Sequence, residues 1–139
     1  MSRQQISFTI PGEPCAKGRP RFVRASGRAV TPQKTAQYEQ LVQLAYMHHV
    51  GQEHRLNGPI KAHIRAYFTI PKSTSQRKRE QMLTDELRPQ KRPDADNLAK
   101  IVLDALNGIA YGDDKEIVYL EVEKHWAISP QVCVTLSEI

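Results

Sequence analysis

The chain has 139 residues, with 20 lysines and arginines against 15 aspartates and glutamates, a net charge of +5 and a pI near 9.4. That length suits one domain, residues 1–139, able to bury about two-thirds of its unfolded surface. No apolar run nears the roughly 20 residues of a membrane span, and the polar start MSRQQISFTI excludes a secretory signal, so a cytoplasmic protein is expected. Cys15 and Cys133 match neither a disulfide framework nor a zinc spacing and receive no catalytic role. The basic balance points to an anionic partner, of which nucleic acid is the commonest.

Ile6, Phe8 and Ile10 alternate with polar residues, the period of a half-buried strand, and Pro11-Gly12 stops it. The next segment, EPCAKGRPRFVRASGRAV, sets Lys17, Arg19, Arg21, Arg24 and Arg28 against one acid and reads as a basic loop or irregular edge. Thr31-Pro32 has the form of a helix start, and Tyr38, Leu41, Val42 and Ala45 supply an apolar stripe reaching about His49. Even positions from Ile60 to Ile70 are apolar, the clearest strand in the chain. A short exposed helix is expected over about 75–86, in a stretch that carries Lys72, Arg77, Lys78 and Arg79. After the central helix, Val118, Leu120 and Val122 form one face of a strand, the turn Ser129-Pro130 follows, and Val132, Val134 and Leu136 close the chain as its partner. The order β-α-β-α-α-β-β predicts an α+β fold, a mixed sheet of about four strands with helices packed on it.

Residues 91–114, KRPDADNLAKIVLDALNGIAYGDD, carry the chemistry. Pro93 biases its predecessor toward extended backbone, and Asp96 can cap a helix that begins at Asn97 and ends at Asn107-Gly108. Leu98, Ile101, Val102, Ala105 and Leu106 form the buried stripe, while Asp96, Lys100 and Asp104 share the opposite face. Carboxylates crowded together need a cation to remain ionised, and Mg²⁺ takes one or two carboxylates, water and phosphate oxygens. Asp94 and Asp96, two apart in extended chain, project to one side, and Asp113 or Asp114 returns to the same place at the mouth of the next strand. Lys100 would offset charge on a phosphate oxygen or protonate a leaving oxygen. The implied reaction is metal-assisted phosphodiester hydrolysis. Asp104 lies two turns, about 12 Å, beyond Asp96 and is read as a partner for Lys100 or a support. The competing reading makes these acids only a cap and i,i+4 surface pairs. An EF-hand is excluded by the missing loop glycine.

Pro93-Asp94-Ala95-Asp96-Asn97-Leu98, Lys100, Asp104-Ala105-Leu106-Asn107-Gly108 and Asp113-Asp114 together resemble the RusA family of Holliday junction resolvases, and Gly18-Arg19-Pro20-Arg21 and Thr31-Pro32 resemble its N-terminal half. The resemblance implies a homodimeric, Mg²⁺-dependent endonuclease, with Mn²⁺ able to substitute, that nicks four-way DNA junctions and is commonly carried by phages and prophages. It implies catalytic roles for Asp94, Asp96, Lys100 and Asp114, with Asp94, Asp96 and Asp114 as metal ligands and Asp113 the alternative to Asp114. A C2 dimer with one site per subunit suits the approximate two-fold symmetry of a junction. Lys17, Arg19, Arg21, Arg24, Arg28, Arg77, Lys78, Arg79, Lys91 and Arg92 are the DNA-binding candidates. Phe22, between arginines, is a candidate for stacking at the branch point. Two other readings stay open: a noncatalytic structure-specific DNA-binding protein, and a nuclease acting on flaps or other branched DNA.

Overall fold

The computed structural model describes residues 3–17, 21–23, 28–30, 33–51 and 55–139, the strands at 21–23 and 28–30 by backbone alone. The elements are β1 (Gln5–Pro11), β2 (Arg21–Val23), β3 (Arg28–Val30), α1 (Gln33–His49), β4 (Ile60–Thr69), α2 (Gln76–Leu83), α3 (Ala95–Ala105), a one-turn 3₁₀ helix (Asp114–Glu116), β5 (Ile117–Ala127) and β6 (Gln131–Glu138). The main sheet is mixed, in the order β1-β6-β4-β5, with β4 parallel to β5 and β6 antiparallel to both β1 and β4. This is the expected α+β architecture. Within the basic segment read as a loop or irregular edge, β2 and β3 pair antiparallel in a second small sheet. Strands of three residues are too short to show an alternating pattern. The expected Thr31-Pro32 helix start, with Gly18, Arg19, Pro20 and Arg24, lies outside the described residues.

One pairing differs from the sequence expectation. β6 does not form a hairpin with β5 but lies on the far side of β4, where Ile64 faces Val134 on one side and Val122 on the other. The reason is burial. In β4 and β6 nearly every second residue is buried, whereas β5 buries only His125 fully, so the two strands with an apolar row take the interior of the sheet and the more polar IVYLEVEKHWA takes an edge. Val118 and Leu120 are accordingly exposed, and of the expected apolar face of β5 only Val122 meets the core.

Ile6, Phe8 and Ile10, the alternate residues Ile60 to Phe68, and Val132, Val134 and Leu136 join one cluster with Tyr38, Val42 and Tyr46 of α1 and Leu98, Ile101 and Val102 of α3. α1 and α3 thus cover one face of the sheet, and α3 is fixed through its apolar stripe. At its C-terminal end Gly108 takes φ +76°, the left-handed conformation that stops a helix. Tyr111 is fully buried and its hydroxyl donates to the Leu103 carbonyl at 2.6 Å, which ties the turn before β5 to the end of α3.

Candidate active site

α3 begins two residues earlier than the capping pattern suggested. Asp94, not Asp96, is the N-cap, with φ −68° and ψ 155°, and its carbonyl accepts from Leu98 N at 3.0 Å. Asp94 is a preferred residue for that backbone position and Ala95 is the best helix former, so the helix closes there. Asp96 therefore sits in the first helical turn rather than beside Asp94 on an extended strand, about 200° around the axis from it. Asp94 does not spend its carboxylate on capping. Asp94, Asp96 and Lys100 are all exposed, and their side chains form no hydrogen bond or ion pair among the described residues. The i,i+4 pairs of the competing reading are thus not made.

Lys17 joins the two halves of the site. Its Nζ lies 2.8 Å from Glu39 Oε2 of α1 and 3.5 Å from Asp104 Oδ2 of α3, with all three side chains about one-quarter exposed or less. It also lines a polar cleft of about 490 Å³ with Ala16, Arg92, Pro93, Asp94 and Asn97. Burial opposes its charge, but the hydrogen bond and charge of Glu39, with those of Asp104, raise its pKa above the usual lysine value. Lys17, read from sequence as a phosphate contact, is thus an ion-paired element of the acidic site. Asp104 pairs with it rather than with Lys100.

Asp104 also reaches Asp114. Burial, then hydrogen bonds and negative charge from Asp113 and Asp104, raise the Asp114 carboxyl above the usual range. Acids crowded at this corner disfavour each other's charge, which is why the carboxyl is raised. Asp113 has a different occupation. It caps the 3₁₀ helix, its Oδ1 accepting from Lys115 N at 2.8 Å while Glu116 Oε1 accepts from Asp113 N at 3.3 Å. The Lys115 N–H, with a hydrogen bond from Asp114, holds its carboxyl below the usual range.

An adjoining cleft of about 520 Å³ runs from Lys34 and Thr35 of α1 past Phe68 to Lys91, Arg92 and Pro93, where the Arg92–Pro93 peptide is cis. Lys34, Lys91 and Arg92 outnumber Glu13 in its lining and give it a positive surround. Lys91 Nζ stands 5.4 Å from the Phe68 ring and 5.7 Å from Trp126. Arg77, Lys78 and Arg79 follow one another on α2, capped by Ser75 Oγ accepting from Lys78 N, and Arg77 and Lys78 are exposed. Arg21 and Arg28 fall on β2 and β3, which are described by backbone alone, as is Phe22. The parts that sequence reasoning missed are Glu39 and the linking role of Lys17. The partner of Lys17 is 22 residues away on α1, and no local spacing announces it.

The match to a family model decides the class: the description "Endodeoxyribonuclease RusA" covers residues 11–137. The chain belongs to the RusA family. It is also 37% identical over 142 residues to "Uncharacterized protein YqaN" of Bacillus subtilis (strain 168), spanning 96% of each chain. RusA proteins are Holliday junction resolving endodeoxyribonucleases that act on branched DNA, and this chain is one of them. Its acidic corner offers only carboxylate oxygens, the hard donors that suit Mg²⁺ or Mn²⁺, and the raised Asp114 carboxyl marks a place where a cation would relieve crowding. The donor type therefore fits such an ion, although Asp94, Asp96 and Asp114 do not lie within 4.8 Å of one another in this structure. No helix among the described residues is long and apolar enough to cross a membrane.

Proposed function

We propose that the protein is a Mg²⁺-dependent resolvase, with Mn²⁺ able to substitute, that cuts a four-way junction by paired symmetric nicks as a homodimer of single-domain subunits in the cytoplasm. The observation that carries the reading is the acidic line from Asp94 through Lys17 and Asp104 to Asp114, set within a cationic rim. The residues that would hold the ion are Asp94, Asp96 and Asp114, which it would have to draw together. Asp114 rather than Asp113 is the ligand, since Asp113 is engaged in its cap. When bound, the ion polarises the scissile phosphate and lowers the pKa of attacking water.

The protein's own groups orient the substrate around it. Lys100, exposed one turn beyond Asp96, neutralises a phosphate oxygen or supplies the proton for the leaving 3′ or 5′ oxygen. Lys17 and Glu39 position Asp104, and Asp104 positions Asp114. Arg92 and Lys91 at the cleft, and Arg77, Lys78 and Arg79 on α2, contact phosphates and so contribute affinity without base reading. Arg19, Arg21, Arg24 and Arg28 extend this surface along the basic segment.

The open edge of β5 supports the dimer. Its 11 residues end the sheet, and Val118, Tyr119 and Leu120 are 63%, 51% and 46% exposed. A long edge strand with exposed apolar residues invites pairing with a second copy, which a two-fold axis makes antiparallel. The deciding experiment is a nicking assay with Mg²⁺ on synthetic four-way junction, flap and linear duplex. Wild type should cut the junction with strong preference, and Asp94→Asn should lose at least about 100-fold, since loss of mere supporting contacts already costs metal sites 10–100-fold. The variant should still bind junction DNA. Cutting by Asp94→Asn at the wild-type rate would refute the assignment, and equal cutting of flaps would widen the substrate class.

A further inference from the structure

A second cluster lies on the sheet face turned away from α1 and α3. His63 of β4 stands beside Glu121 of β5 in the parallel register, and Glu123 and His125 follow at alternate positions of β5. Their neighbours Ala62, Ile64 and Val122 point the other way, toward the core. One ligand atom each from His63, Glu121 and Glu123 lies within 4.8 Å of the other two. His63 Nε2 is hydrogen-bonded to Glu123 Oε2 and lies 3.9 Å from Glu121 Oε2. Nothing in the junction-cutting reading uses these groups.

The hydrogen-bond count of this cluster does not close with neutral side chains. His125, 9% exposed, meets a carboxylate at each ring nitrogen: Asp85 Oδ1 at 3.0 Å from Nδ1 and Glu123 Oε1 at 3.1 Å from Nε2. A neutral imidazole has one N–H, so one of those contacts sets a lone pair against a carboxylate oxygen. Either a proton or a metal ion must stand there. Asp85 itself takes φ +64°, left-handed backbone unusual for aspartate, in presenting its carboxylate. The surrounding cations leave room for an ion: Lys61 takes Glu121 Oε1 at 3.2 Å and leaves Oε2 facing His63, Arg88 lies 3.7 Å from Asp85 Oδ2, and Arg65 is next along the same face of β4.

We propose that His63, Glu121 and Glu123 form a binding site for a borderline transition-metal ion of the Zn²⁺ class, with His125 and Asp85 holding Glu123 from the next position along, separate from the carboxylate site at the start of α3. Mixed imidazole and carboxylate donors suit zinc, whereas Mg²⁺ prefers oxygen alone. Ligand atoms at zinc bond lengths of about 2.0–2.2 Å stand about 3.4 Å apart in a tetrahedron, so the three donors, already within 4.8 Å of one another, close by a small movement and leave the fourth position to water. Because Asp85 follows directly on α2, the ion fastens the segment that carries Arg77, Lys78 and Arg79 to the sheet.

The test is metal retention by the full chain. Chelator-treated protein is titrated with Zn²⁺, and separately with Co²⁺, at neutral pH in excess Mg²⁺ that keeps the carboxylate site filled. Expected are one equivalent bound per chain, the visible absorption of four-coordinate Co²⁺, proton release on binding, and a raised Tm. Asp94→Asn should bind the same equivalent. His63→Ala and Glu123→Gln, each checked for folding by circular dichroism, should lose it. Failure of wild type to retain Zn²⁺, or retention unchanged in both cluster variants, would overturn the site and leave a ladder held by protonated histidine. Loss in Asp94→Asn alone would place the ion at the other site and refute the proposal equally.

Discussion

Replacing Lys17 by methionine separates two roles that a cation at a DNA-facing cleft could have. The ammonium sits 2.8 Å from Glu39 and 3.5 Å from Asp104, and its side chain is 22% exposed. Exposed pairs contribute about 0.2–1 kcal/mol each, whereas stripping one partner from a buried pair costs about 3–5 kcal/mol. With side chains one-fifth to one-quarter exposed and two acids left unpaired beside Asp114, the expected loss is about 2 kcal/mol, or roughly 4–8 °C in Tm for a chain of this length. The pKa of Lys17 is raised in the folded protein, so its stabilisation is fully present below the ordinary value of 10.5 and is lost as pH rises through the higher folded value. Urea unfolding at pH 8 should therefore separate Lys17→Met from wild type, and the gap should narrow as pH rises through the folded value above 10.5. Lys17→Arg should recover part of it, and Glu39→Gln combined with Lys17→Met should be less than additive. If Lys17→Met unfolds like wild type at pH 8 and loses only junction affinity, then Lys17 is a phosphate contact and not the strut of the acidic site.

Asp104→Asn should lower junction cutting about 10–100-fold while leaving junction binding intact, the usual cost of removing a group that orients a metal ligand. Asp113→Ala should instead cost about 1 kcal/mol of stability as a lost cap and leave most of the cutting rate, measured by single-turnover assay and thermal melt; the reverse pattern would exchange the two roles. Lys78→Ala should reduce the slope of log affinity against log salt by about 0.9, and an unchanged slope would remove α2 from the DNA surface. Leu120→Glu on the open edge of β5 should convert the dimer to monomer in light scattering and remove the dependence of Tm on protein concentration; a variant still dimeric would move the interface elsewhere.

Much of the molecule was legible along the chain because local physics dictates it. The alternation of Ile60 to Ile70 and of Val132 to Leu136 declares two strands with one buried face, and the stripe through Leu98, Ile101 and Val102 places α3 on the sheet with its polar side outward. The string from Asp94 to Asp114 also contains the family's motif, and with it the class of reaction. Three things waited on the tertiary structure. Strand order is one: period 2 says that a strand has a buried face but not which neighbour it pairs with, so β6 beside β4 and β1 could not be read from a short turn after β5. The start of α3 is another, since Asp94 and Asp96 both suit a cap and only the closed turn from Leu98 N to the Asp94 carbonyl chooses between them. The third is the ion pairing of Lys17 with Glu39 and Asp104. Charges 22 and 87 positions apart in sequence meet only because α1 and α3 pack on the same sheet face.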